Sequence, residues 1–170
     1  DVKSAFGGVV LLNKKISNQL SKEIAKNFFE IIAAPGFEKK SIEVLSKKKN
    51  LILLNTKEMT KPIKETSRSV RLGMLKQKTD LYPVTKNNFS ILSKNKKISK
   101  KEFEDVIFAF KIVKHVKSNA IVLVKNKQTI GIGAGQMNRY DATRIALMKY
   151  KDSFNLKKFI CASDAFFPFV

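Results

Sequence analysis

Asn119, Gln136, Asn138 and Arg139 are the side chains of this sequence best suited to hold a small polar molecule, and Gly131, Gly133 and Gly135 stand between the first and the others. Amide and guanidinium groups offer donors and acceptors in fixed directions. Glycines at every second position share one face of a strand and leave room for a flat ligand or another backbone. Bracketed by Asn119 and Arg139, they read as the floor of a site for a planar polar ligand. The spacing G-x-G-x-G differs from the dinucleotide fingerprint G-x-G-x-x-G, and no acidic residue follows at the distance that fingerprint requires. His115, the one histidine, sits beside Lys114 near the expected end of a helix. An imidazole is favourable there without a catalytic role. Cys161 is the one cysteine, so no internal disulfide can form, which suits a reducing, cytoplasmic setting.

A strand, a turn and a helix must position these groups. Residues 120–124 form an apolar run that reads as a buried strand, and 129–134 read as its partner. The turn between them centres on Asn126-Lys127 and has no glycine to fix its type. Residues 136–139 form a polar elbow into a helix over 141–150, with Asp141 as its cap. Upstream, strands are expected over 6–12 (buried), 29–34 and 51–54. They alternate with helices over 17–29, capped by Ser17, and 39–48. Residues 55–100, broken by Pro62, Gly73 and Pro83, are expected to hold short strands such as 70–77. Phe103, Val106, Ile107, Phe110 and Val113 recur at helical spacing over 100–116. A last strand over 159–161 runs into 163–169. Alternating strands and helices imply an α/β fold, and 170 residues allow one domain with its own core.

Three segments carry a resemblance. SNAIVLVKNKQTIGIGAGQMNR (118–139), DVKSAFGG (1–8) and ASDAFFPF (162–169) occur in the order seen in the bifunctional purine-biosynthesis family that joins AICAR formyltransferase to IMP cyclohydrolase. The stretch 118–139 resembles the signature of the formyltransferase half. The resemblance implies a cytidine-deaminase-like layered α/β fold, here partial. It implies residues 1–170 as part of the formyltransferase domain, with the N-terminal cyclohydrolase domain and the end of the formyltransferase domain outside the chain. It implies formyl transfer from 10-formyltetrahydrofolate to AICAR, with both molecules as partners, in a homodimer. Asp1, Asn119, Arg139 and Phe166 match positions that contact the AICAR nucleotide, and Tyr140 matches a position that contacts the folate through its backbone. Phe167 and Phe169 are expected in the core. The family's catalytic Lys-His pair lies in a loop before the Asp1 motif, so no catalytic residue is expected here, and Lys114-His115 is not that pair. Asn138 stands where the bacterial pattern has serine. The zinc ligands of the deaminases, His-x-Glu and Pro-Cys-x-x-Cys, are missing from the sequence, so no zinc is expected.

The balance of 34 basic and 14 acidic residues, a net charge of +20, raises the question of a nucleic acid. Only Arg68, Arg71, Arg139 and Arg144 are arginines, whereas base recognition favours arginine forks with interleaved aromatics. Scattered lysines read as solvated faces, so neither a nucleic acid nor a membrane is expected as partner. A basic RNA-binding α/β module and a non-catalytic paralogue are the alternatives.

Overall fold

Parallel strands need crossover connections, and the alternation between residues 9 and 55 supplies two of them. The computed structural model describes residues 6–57, 62–93, 97–153 and 157–167, except the side chains of 152 and 153. Its first compact unit, Asp1–Leu81, begins with β1 (Val9–Leu11), α1 (Asn18–Ile24), β2 (Ile31–Ala34), α2 (Lys39–Leu45) and β3 (Ile52–Asn55). The three strands pair in parallel in the order β1-β2-β3. Ser17 caps α1 by accepting the Leu20 N–H at 3.3 Å. The helix ends at Ile24 rather than 29, because Lys26 and Asn27 N–H turn back to the Glu23 and Ile24 carbonyls and tighten the last turn. Ile16, Ile24, Ile32, Ala34 and Leu45 form the core between helices and sheet. The opposite sheet face bares Val9 and Leu11, 64% and 72% exposed, so the expected buried strand over 6–12 is a short edge strand buried on one side only.

β4 (Glu65–Val70) and β5 (Gly73–Lys78) form an antiparallel hairpin whose residues are all exposed. The single strand expected over 70–77 is corrected here: the chain reverses at Arg71-Leu72, and Glu65–Val70 lacks the apolar alternation that would have marked it.

The second unit, Tyr82–Val170, contains α3 (Lys100–Val113), β6 (Ile121–Lys125), β7 (Gln128–Gly133), α4 (Arg139–Ser153) and β8 (Ile160–Ser163). β6 lies between β7 and β8, antiparallel to both. Ala109 and Val113 of α3 pack on Ala120, Val122 and Val124, while Ala142, Ala146 and Tyr150 of α4 pack on Ile121, Leu123 and Ile130. Covered on both faces, β6 has to be an uninterrupted apolar run. Asn126 and Lys127 both take positive φ, +52° and +57°, which makes the turn type I′. Asp105 of α3, 3% exposed, accepts the N–H groups of both residues at 2.9 and 2.7 Å. Ser99 and Glu102 close a capping box at the start of α3. The fold is therefore mixed α/β, as the alternation implied, with one parallel and two antiparallel sheets among the described residues. Among the described residues no helix is long and apolar enough to cross a membrane.

Candidate functional site

Beyond the end of the β6–β7 hairpin the chain keeps pairing irregularly. Gly135 N–H donates to Lys117 O at 2.7 Å, and Asn119 N–H donates to Gln136 O at 3.2 Å. This lays the loop carrying Asn119 beside the elbow that starts α4. The Asn119 amide nitrogen donates to the Gln136 and Met137 carbonyls at 3.0 and 3.3 Å, and its oxygen accepts from Arg139 Nη2 at 2.9 Å. Both Asn119 N–H groups are thus spent on the backbone, and its oxygen is the group left with acceptor capacity.

Arg139 opens α4 and points back across the sheet end. Its Nη1 donates to Ser163 Oγ at 2.8 Å and to Asp164 Oδ1. Asp164 follows β8 and also accepts the Ala120 N–H at 2.9 Å and the Ser118 hydroxyl. The Arg139 and Asp164 side chains are only 10% and 18% exposed. Loss of solvent pushes the Asp164 carboxyl up, but hydrogen bonds from Ser118, Arg139 and the Ala120 N–H outweigh it and hold the group at about 2. Sequence reasoning did not single out Asp164 or Ser118. Both lie inside segments that carry the family resemblance, Ser118 at the start of 118–139 and Asp164 within 162–169, but neither residue type nor spacing marked them as partners.

The glycine face has a different occupant from the one expected. A Cβ on Gly133 would lie 2.6 Å from the Ala142 carbonyl carbon and closer still to its oxygen, and one on Gly131 would lie 3.1 Å from the Ala146 carbonyl carbon. The α4 backbone rests directly on these two glycines, so they make room for a helix and not for a ligand. Gly135 lies past the end of β7 at φ +65° and serves the turn instead. The cap of α4 is also corrected: Asn138 Oδ1 accepts the Asp141 N–H at 2.8 Å, and its Nδ2 donates to the Asp141 carboxylate at 2.7 Å. Asn138 is the N-cap and Asp141 its reciprocal partner.

Residues 1–149 match the family described as the AICARFT/IMPCHase bienzyme. The chain belongs to that family. Similar proteins include the bifunctional purine biosynthesis protein PurH of Ligilactobacillus salivarius, 44% identical over 171 residues, which cover 99% of this chain and 33% of the relative. PurH of Thermoanaerobacter sp. is 44% identical over 169 residues, covering 99% of this chain and 32% of its own length. PurH of Chlorobium phaeobacteroides is 42% identical over 171 residues, with shares of 99% and 32%. The chain spans about a third of the length of the curated relatives it matches.

Of the residues that the AICARFT/IMPCHase resemblance marks, Asn119 and Arg139 meet in one hydrogen bond. Phe166 follows two residues after Asp164 and is 79% exposed. Phe167 is 50% exposed, so the expectation that it lies in the core is corrected: the chain here has already left the sheet edge at Ser163. Tyr140 is 71% exposed, and the Arg144 guanidinium lies 5.8 Å from its ring centroid. Next to the elbow, Gln136, Asp141, Arg144, Ile145, Met148 and Lys151 line part of a groove of about 650 Å³. Asp1 and Phe169 lie outside the described residues. Among the described residues no cluster of His, Cys, Asp and Glu side chains could hold a metal ion.

Proposed function

We propose that this chain belongs to an enzyme of purine biosynthesis that transfers a formyl group from 10-formyltetrahydrofolate to the amine of AICAR, and that it provides the nucleotide-binding face of that site. The observation that carries the reading is the Asn119–Arg139–Asp164 cluster at the mouth of the elbow, with Phe166 exposed two residues after Asp164. The chemistry suits the heterocycle. Asn119 Oδ1 keeps acceptor capacity for an amine or carboxamide N–H, Arg139 offers a guanidinium N–H to a carbonyl or anion, and the Phe166 ring can stack on imidazole. The Tyr140–Arg144 pair at the head of α4 and the neighbouring groove suit the aromatic, anionic folate.

The exocyclic amine is a weak nucleophile because its lone pair is delocalised into the ring. Transfer needs the amine and formyl carbon held in contact, a base for the amine proton and a donor for the tetrahedral oxyanion. In this reading the last two roles fall to the Lys-His pair outside residues 1–170, and IMP cyclohydrolase activity falls to a separate domain of the same homodimeric protein. The names of the PurH relatives support the pathway.

The test has two parts. The purified 170-residue chain should show no formyl transfer; measurable turnover would return attention to Lys114 and His115. In the natural full-length protein, Asn119→Ala and Arg139→Ala should each weaken AICAR binding or turnover by ~1–3 kcal/mol, the cost of stranding a polar partner. Lys97→Ala should leave both unchanged, and an equal loss there would favour a diffuse polyanion surface instead.

A further inference from the structure

We propose that Asp164 is the positioning residue of this site, holding the Arg139 guanidinium and the Ser118-Asn119 loop in the arrangement that a nucleotide heterocycle meets. The inference rests on the AICAR reading for its ligand, but its geometric content stands by itself.

Asp164 is the anionic group on which the parts converge. Its Oδ1 takes the Ala120 N–H and Arg139 Nη1, and its Oδ2 takes the Ser118 hydroxyl. Its own N–H donates to Ala120 O at 3.3 Å. Three chain segments, the loop before β6, the start of α4 and the exit of β8, are thereby tied at one carboxylate. Arg139 has five N–H donors, of which Nη1 spends two on Ser163 and Asp164, and Nη2 spends one on Asn119. In this proposal the Nε–H and the second Nη2–H are the donors that address the ligand, because the clamp does not use them. Without the carboxylate, Nη1 keeps only the Ser163 hydroxyl, which itself donates to Ala165 O at 2.6 Å. The guanidinium could then rotate about its long side chain, and the Asn119 oxygen would lose the donor that orients it. Asp164 does not itself need to reach the ligand, because its lone pairs already serve protein donors. That distinguishes a positioning residue from a binding one.

The experiment is a double-mutant cycle in the natural full-length protein. Asp164→Asn is nearly isosteric and keeps an oxygen for the Ala120 N–H, so the strand end should stay paired. AICAR affinity is measured by calorimetry for wild type, Asp164→Asn, Arg139→Ala and the double variant. Asp164→Asn should weaken binding about tenfold in the wild-type background and less than about twofold in the Arg139→Ala background. Equal losses in the two backgrounds, or no loss in either, would overturn the proposal. A second readout needs no ligand. The Arg139 guanidinium N–H resonances should be resolved and slowly exchanging in wild type, and collapse towards those of a freely rotating arginine in Asp164→Asn. Unchanged Arg139 signals would also overturn the positioning role. Failure of the wild-type protein to bind AICAR would instead defeat the functional reading, and the Arg139 signals would then decide the role of Asp164.

Discussion

Gly133→Ala adds a single methyl group at the place where α4 meets the sheet most closely. Its Cβ would stand 2.6 Å from the Ala142 carbonyl carbon and 2.9 Å from its Cα, against ordinary contacts that begin near 3.4 Å. The neighbour is helix backbone, with the Ala142 carbonyl oxygen nearer still, so relief requires α4 to lift by more than about 1 Å, loosening Ala142, Ala146 and Tyr150 from Ile121 and Leu123. Overpacking costs about 1–3 kcal/mol, and a rigid neighbour places this case at the upper end. Replacing glycine in a strand returns only about 0.5–1 kcal/mol. The net loss is about 2 kcal/mol, which for a unit the size of Tyr82–Val170 lowers the melting temperature by roughly 8–16 °C. Thermal and urea denaturation followed by circular dichroism measure it. Gly36→Ala is the control, because there the added Cβ meets the flexible Lys15 side chain, Cγ at 3.5 Å and Cδ at 3.8 Å, and it should leave stability unchanged or slightly raised. A Gly133→Ala protein that melts within about 2 °C of wild type would refute the packing argument. Arg139 sits at the head of the displaced helix, so on the proposed function AICAR affinity should fall as well.

Asp105→Ala should cost ~1–3 kcal/mol by stranding the Asn126 and Lys127 N–H groups, seen as a lower urea midpoint and faster hydrogen exchange at those two amides. Lys127→Gly should stabilise by about 0.5–1 kcal/mol, because the left-handed conformation at φ +57° costs glycine nothing and the Glu104 ion pair it removes is exposed. Asp164, held at about 2 against an ordinary 3.8, binds protons more weakly folded than unfolded. Its contribution is therefore full above about pH 4 and is lost as pH falls through about 2. The shift corresponds to at most ~2.4 kcal/mol, or about 1 kcal/mol after solvent screening. The stability gap between wild type and Asp164→Asn should close over that range, and a gap of constant size would refute the assignment.

Local signals in the sequence were sufficient for the strand at Ile121–Lys125, the turn at Asn126-Lys127, the Ser17 cap and the α3 helix. Each follows from neighbours a few residues apart: an apolar run buried on both faces, a turn length, a hydroxyl before a helix. The pairing of Asn119 with Arg139 was legible as a bracket around one hairpin, because a hairpin brings its two ends together whatever else the fold does. The glycine spacing carried only half of its meaning. It announces that something lies close against the strand, while the identity of that neighbour depends on where α4 packs, and the helix backbone proved to be the occupant. The role of Asp164, inside the recognised segment 162–169, was illegible for a related reason. Its partners lie 44 and 46 residues away at Ala120 and Ser118, and 25 away at Arg139. No local pattern links them, and only the antiparallel placement of β8 beside β6 brings the carboxylate to the loop. Sequence determined which side chains could do the chemistry; tertiary structure decided which of them are held, by what, and which donors they have left.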